Sequence, residues 1–227
     1  MRRDKARSHR WDYPTRLLLA VVLLSSTACA GPLKQWGAET SLVAQAPSFS
    51  SSQLENERIG VLNAVGGLGL EGYAHQVSRS LSTALERNQR PINAISAHET
   101  LSALNEAGLA DDYTAMATGY MRSGILNRPV LDKVGRALNA NYVFQPTLAA
   151  FSQSTSGRFS FFGLRLIQTR ISILRLTVQL WDTRSGKILW ESSGEATLAG
   201  EDVREFRIPF EEIAQHLWER MLKDLWK

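Results

Sequence analysis

Cysteine is almost absent from this chain of 227 residues, and Cys29 is its single copy. One cysteine cannot form an intramolecular disulfide, so we expect the core alone to stabilise the fold. Long hydrophobic runs are also missing. The main apolar run, residues 17–24, is far shorter than the roughly 20 apolar residues that span a bilayer.

A charge excess is missing from most of the chain. The whole sequence has 26 basic and 22 acidic residues and a pI near 9.4. Residues 1–28 contain six of the basic and two of the acidic residues, which leaves 20 of each in the remainder. The basic character therefore belongs to the N-terminal segment, and it gives no support for nucleic-acid binding.

The residue patterns of common catalytic and metal sites are lacking too. The sequence has no G-x-S-x-G motif, and none of its histidines has a partner at the spacing of a metal site. The four histidines are scattered: His9, His75, His98 and His216. The sequence therefore predicts no catalytic set, no metal and no cofactor.

The N-terminus has the layout of an export signal. Basic residues precede the apolar run 17–24, and the small residues 25–28 follow it. Cys29 then resembles the lipid-modified cysteine of bacterial lipoproteins, although Ser26 stands where that motif usually has leucine. The resemblance implies a signal peptide over residues 1–28 and a lipid anchor at Cys29. Ala30 after the cysteine, rather than aspartate, favours the outer membrane, and cleavage after Ala30 is the alternative, giving a soluble periplasmic or secreted protein.

Residues 29–56 contain prolines, a serine cluster and few large apolar residues, which is typical of a flexible tether. Residues 57–227 suffice for a single domain. Strand and helix patterns alternate there and end in a hairpin. We therefore expect an α/β domain with a mixed sheet, a C-terminal antiparallel hairpin and helices packed on the sheet.

The hairpin spans Leu174 to Leu198. Apolar and polar residues alternate from Leu174 to Leu180, and Asp182 and Gly186 bracket a short turn. Upstream, the apolar phase is on odd numbers up to Ile173, so we expect a β-bulge at that point. The preceding segment 152–157 is polar and is predicted to be a loop.

Gly67, Gly69 and Gly72 fit G-x-G-x-x-G between a predicted strand and a helix, as in a dinucleotide-binding turn. The next predicted strand ends without the acidic residue that would hold a ribose. We therefore treat these glycines as weak cofactor candidates and expect a structural loop.

Four aromatic residues are candidates for contact with a partner. Phe159, Phe161 and Phe162 follow the polar segment, and exposed aromatic clusters mark partner or membrane contact. The alternative is that they pack under the sheet edge. Trp218 belongs to the apolar stripe of a helix over residues 209–226, where core packing is the alternative to a partner groove.

Three segments resemble the CsgG-like superfamily, with relatives in the N-terminal domain of TolB and in lipoprotein activators of peptidoglycan synthases. They are Ile59–Leu62, Asn139–Val143 and Val178–Trp190, whereas Asn63-Ala64 departs from the usual Pro-Phe. The resemblance implies an α/β sandwich used for periplasmic protein–protein contact, without enzyme activity. We expect an outer-membrane lipoprotein with an envelope protein partner. The alternatives are a homo-oligomeric secretion or assembly component and a nucleotide-binding enzyme.

Overall fold

A computed structural model describes residues 33–67, 69–88, 90, 92–161, 164–202 and 209–226. For residues 33, 157–161, 164–168, 201 and 202 the backbone alone is described. Cys29 and Phe162 lie outside the described residues. Lys34–Lys227 forms one compact unit, a single α/β domain as predicted.

Over the described residues, the domain contains seven strands and five helices. The strands are β1 (Leu33–Gln45), β2 (Arg58–Val61), β3 (Val65–Gly66), β4 (Asn93–Ile95), β5 (Tyr142–Phe161), β6 (Leu164–Asp182) and β7 (Ile188–Asp202). The helices are α1 (Ala74–Glu86), α2 (Ala97–Glu106), α3 (Ala110–Ser123), α4 (Arg128–Leu138) and α5 (Phe210–Leu225). None of these helices is long and apolar enough to cross a membrane.

The sheet is mixed, in the order β1-β7-β6-β5-β2-β4, and β3 pairs with β5. The β2–α1–β4 unit makes a parallel pair, and β2 is also parallel to β5. The strands β5, β6 and β7 are antiparallel neighbours. A parallel half and an antiparallel half therefore share one sheet.

Helices cover the two faces unequally. On one face α1 and α5 pack over the sheet, and Leu176, Trp190 and Trp218 belong to this core. On the other face the smaller core contains Tyr113, Val134 and Trp181 and is built from α2, α3 and α4. Beyond Trp181, this second face of β6 and β7 is mainly polar, although β6 also carries the half-buried Ile171 and Ile173 there. The smaller core does not extend over this part of the sheet.

The C-terminal hairpin forms as predicted. β6 and β7 pair continuously from Gln168–Asp202 to Leu180–Trp190. Asp182 Oδ1 accepts hydrogen bonds from the backbone N–H groups of Arg184 and Ser185, at 2.9 and 2.7 Å. Gly186 has φ of +69°, the left-handed conformation that a closing turn residue needs. The predicted capping box at Ser96 and Glu99 is also present at the start of α2.

The predicted tether over residues 29–56 is wrong from Leu33 onward. Residues 33–45 are β1, the edge strand beside β7, and a 3-10 turn follows at Ser51–Leu54. Leu54 is buried in the main core. The composition of this segment suggested disorder because its strand residues are weak, but pairing with β7 supplies the backbone hydrogen bonds that composition does not record.

The predicted loop over residues 152–157 and the predicted bulge at Ile173 are wrong as well. β5 continues through the polar segment to Phe161, because its backbone pairs with β6 whatever its side chains are. The register of β6 against β7 is unbroken at Ile173. The nearby irregularity lies in β5, where Ala149 is the extra residue between Leu148 and Ala150.

Candidate functional site

The glycine-rich segment does not form a tight strand-to-helix turn. The short strand β3 separates it from β2, and Gly72 lies in a 3-10 turn before α1. A Cβ atom placed on Gly67, Gly69 or Gly72 would meet nothing within 4 Å. Gly69, with φ of +79°, is the one of the three whose conformation favours glycine. These residues form an open loop, and nothing in their geometry favours a dinucleotide.

The three histidines in the described part of the chain are not brought together into a metal site. His75 and His98 line one groove between α1 and α2, whereas His216 stacks against Trp36 with ring centroids 4.5 Å apart. Within the described ranges, no three His, Cys, Asp or Glu side chains are placed to hold a metal ion.

Trp218 is a core residue and not a surface for a partner. Its side chain is 0% exposed, and its indole N–H donates to Ser80 Oγ on α1 at 3.0 Å. Ser80 Oγ donates in turn to the carbonyl of Val77 at 2.8 Å. The partner hypothesis for Trp218 is therefore corrected, because the stripe that contains it packs α5 onto α1 and the sheet.

A polar cluster marks the border between the covered and the open part of the second sheet face. Tyr120 Oη and Trp181 Nε1 both donate to Gln179 Oε1, at 2.9 and 3.1 Å. Gln179 Nε2 donates to Glu191 Oε2 at 3.0 Å. Burial raises the pKa of Tyr120, so its hydroxyl keeps its proton and the donor role through the neutral range. The cluster fixes α3 on the sheet and has the character of a structural element.

Tyr113 plays a similar role beside β2. Its hydroxyl oxygen accepts the backbone N–H of Asn63 at 2.9 Å. Burial raises the pKa of Tyr113 to about 12, against a weaker lowering by that hydrogen bond. A phenol with so high a pKa is a poor general base near neutral pH, and its contact with Asn63 explains its position.

The open edge of β1 is one of two surfaces that stand out. β1 is the last strand of the sheet, and three of the five large exposed apolar residues in the described part of the chain lie on it: Trp36, Leu42 and Val43. Ser41 on β1 contacts Ser193 on β7 through their hydroxyls at 2.9 Å, which fixes the inner edge of the strand. Among the described residues nothing pairs with its outer edge.

The second surface is the ribbon formed by β5, β6 and β7, which continues past the helices. Phe151 on β5 meets Tyr73 and Phe210 in a cluster with ring centroids 4.9–5.0 Å apart, at the first residue of α5. Residues 152–156 beyond it are exposed. Phe159 and Phe161 belong to the far end of β5. The backbone thus places both residues on the projecting part of the ribbon.

A groove at the C-terminal ends of α1 and α5 collects positive charge. Its volume is about 440 Å³, and its lining includes Arg87, Arg90, Lys223 and Trp226. The Arg90 guanidinium lies 5.5 Å from the centre of the Trp226 ring. Cations are favourable at helix C-termini, so the local dipoles explain this cluster as well as an anionic ligand would.

Comparisons with known proteins found similarity in structure alone. No protein-family model matches the chain, and no curated protein matches it. Among solved structures, the chain is similar to the PelC dodecamer from Paraburkholderia phytofirmans, with 11% identity over 85% of this chain and 98% of that chain and a TM-score of 0.46.

Two further similar structures are lipoproteins or domains of comparable size. Lipoprotein GNA1162 from Neisseria meningitidis shares 15% identity over 74% of this chain and 97% of that chain, with a TM-score of 0.43. The C-terminal domain of LpoB from Salmonella enterica shares 18% identity over 64% and 90%, with a TM-score of 0.39. At these identities and TM-scores the similarities carry no conclusion about function. The narrower CsgG-like resemblance stays a prediction.

Proposed function

We propose that this protein is a non-catalytic lipoprotein, held by Cys29 at the periplasmic face of the outer membrane, which acts by contact with other envelope proteins. The main support for contact with other proteins is the open edge of β1. The export signal and the cysteine that follows it support the anchor.

An open strand edge is a template for another strand. Its outward N–H and C=O groups can form ladder hydrogen bonds with an incoming chain, as in recognition by β-augmentation. Proteins usually protect such edges with charges, prolines or bulges. Over its 13 residues β1 has two charged side chains, Lys34 and Glu39, and no proline. Lys34 is engaged in an ion pair with Glu212 on α5.

The apolar residues of β1 fit the same role. Leu42 is 47% exposed and Val43 is 54% exposed, and as neighbours in a strand they face opposite sides of the sheet. An added strand would cover both side chains, and each cross-strand apolar pair contributes about 0.2–1 kcal/mol. We therefore assign the contact surface to the outer edge of β1 around Leu42 and Val43.

Replacing both residues with lysine, Leu42→Lys and Val43→Lys, is expected to remove the partner while leaving the fold intact. Lysine on an edge strand opposes strand addition by charge and by hydration. Cross-linking in intact envelopes, followed by mass spectrometry, measures the loss. The matched control is Ile125→Lys, which adds a lysine at a loop residue that is 65% exposed. An unchanged cross-link pattern in the β1 variant would argue against this surface.

A second copy of the chain is the other candidate for the strand that pairs with β1. Antiparallel pairing of two β1 strands about Thr40 would bring Leu42 opposite Ala38 and Thr40 opposite its own copy, both acceptable cross-strand pairs. In that case the protein would be a homo-oligomeric assembly component. Sedimentation in detergent separates the two: the second candidate requires an oligomer that the Leu42→Lys, Val43→Lys variant converts to monomer.

A further inference from the structure

The direction of β1 decides at which end of the sheet the chain that follows Cys29 enters the domain. Ser41 faces Ser193, and the backbone N–H of Ala46 donates to the carbonyl of Leu189 at 2.8 Å. Residue numbers thus rise along β1 while they fall along β7, so the two strands are antiparallel. The first residue of β1, Leu33, therefore lies at the end of the ribbon where β7 finishes.

The chain between the anchor and the sheet is short. Cys29 precedes Leu33 by four residues. Even a fully extended segment of that length spans at most about 14 Å. A lipid at Cys29 would consequently hold this end of the ribbon close to the membrane surface, with no room for a long tether.

The hairpin of β5 and β6 extends beyond Leu33 by about the length of the fully extended segment between Cys29 and Leu33. Counting eight residues back from Ser41 and eight forward from Ser193 places Leu33 level with Glu201, which pairs with Thr169 on β6. From Thr169 the strand continues five residues to Leu164, about 17 Å further. The last pair of the hairpin is Phe161 and Leu164. If the ribbon stands upright, this pair extends about as far beyond Leu33 as the segment to Cys29 can reach.

The two ends of the ribbon differ in composition. Residues 158–165 have the sequence R-F-S-F-F-G-L-R, with four large apolar residues, two arginines and no acidic residue. The turn at the opposite end, residues 182–187, is D-T-R-S-G-K and has no large apolar residue. Aromatic residues are favoured at the membrane–water interface, and arginine is attracted to anionic lipid headgroups.

We infer that the hairpin end, of which residues 158–161 and 164–165 are described, lies against the lipid surface that carries the Cys29 anchor. The inference rests on the proposed anchor and gives the domain an orientation: the ribbon stands on the membrane and the 182–187 turn points away from it. A lipid surface is favoured over a protein ligand because the anchor length and the strand register both direct this end to the membrane, whatever else is bound.

Single-cysteine variants of the full chain test the orientation, because a lipidated Cys29 leaves no other thiol. The variants are Ser160→Cys at the hairpin end, Ser154→Cys midway along the ribbon and Ser185→Cys in the opposite turn. Each lipidated protein is reconstituted into liposomes of phosphatidylethanolamine and phosphatidylglycerol and labelled with a polarity-sensitive fluorophore. Quenching by nitroxide-bearing lipids is measured against quenching by aqueous iodide.

We expect lipid quenching to be several-fold stronger at position 160 than at position 185, with position 154 between them, and iodide quenching to follow the reverse order. Mass spectrometry of the same samples reports the state of Cys29. Equal lipid quenching at positions 160 and 185 on a lipidated chain would overturn the orientation and leave the anchor standing. An unmodified Cys29 would overturn both. If position 160 is protected from iodide in native outer-membrane vesicles but not in liposomes, the hairpin end contacts a protein rather than lipid. That result would also overturn the inference.

Discussion

Replacing Trp218 with alanine is expected to lower the free energy of unfolding by about 3–5 kcal/mol, the range for removing a large aromatic side chain from a core. Trp218 is fully buried between α5 and α1, and its loss also removes the hydrogen bond to Ser80 Oγ. Urea denaturation of the unlipidated Cys29→Ser chain, followed by circular dichroism, measures the change.

Trp36→Ala is the matched control for Trp218→Ala. Trp36 is 38% exposed and makes one described ring contact, with His216. An aromatic pair of this kind contributes about 0.5–1.5 kcal/mol beyond its buried area, so the control should lose much less stability. Equal losses in the two variants would contradict the core position of Trp218 and would reopen its role as a partner contact.

Gly135→Ala is expected to destabilise the protein by about 1–3 kcal/mol, although alanine is the better helix former. A Cβ atom on Gly135 would lie 2.5 Å from Thr183 Oγ1 and 3.0 Å from the carbonyl oxygen of Ala140. Thr183 cannot turn away at no cost, because its hydroxyl is within hydrogen-bond distance of the carbonyls of Ala140 and Asn141, at 3.2 and 3.0 Å. The close approach of α4 to the hairpin turn thus requires glycine.

Gly119→Ala is the control, for which we expect a change in stability of the opposite sign. Gly119 lies inside α3, and a Cβ atom there would meet nothing within 4 Å. The substitution should therefore stabilise the protein by about 0.5–1 kcal/mol through helix propensity alone. Denaturation midpoints of the two variants measure both effects. Stabilisation by both substitutions would contradict the packing of α4 against Thr183.

The parts of the fold that could be predicted from the sequence are those whose cause is local. Asp182 and Gly186 specify the hairpin turn through contacts within a few residues, and Ser96 and Glu99 do the same for the start of α2. The apolar stripe of α5 reports its buried face directly. In each case the residues that form the sequence pattern are also the residues that make the stabilising contacts in the structure.

The parts that could not be predicted depend on partners distant in the chain. β1 has few strand-forming residues, and its place in the sheet comes from pairing with β7, about 150 residues later. The polar extension of β5 forms by pairing with β6. Both candidate surfaces are formed by these strands. The open edge of β1 could therefore not be predicted from the residues of β1 alone. The aromatic residues of the hairpin end are visible in the sequence, whereas the strand register is needed to show that they lie at the end of the sheet where β1 begins.

The proposed lipid on Cys29 would attach the domain to the outer membrane, and the proposed location depends on it. Metabolic labelling with a radioactive fatty acid, combined with membrane fractionation, tests it most directly in the native chain and in Cys29→Ala. We expect the native protein to be labelled and to sediment with the outer membrane, and Cys29→Ala to lose the label and leave that fraction. Unchanged labelling and sedimentation of Cys29→Ala would contradict it.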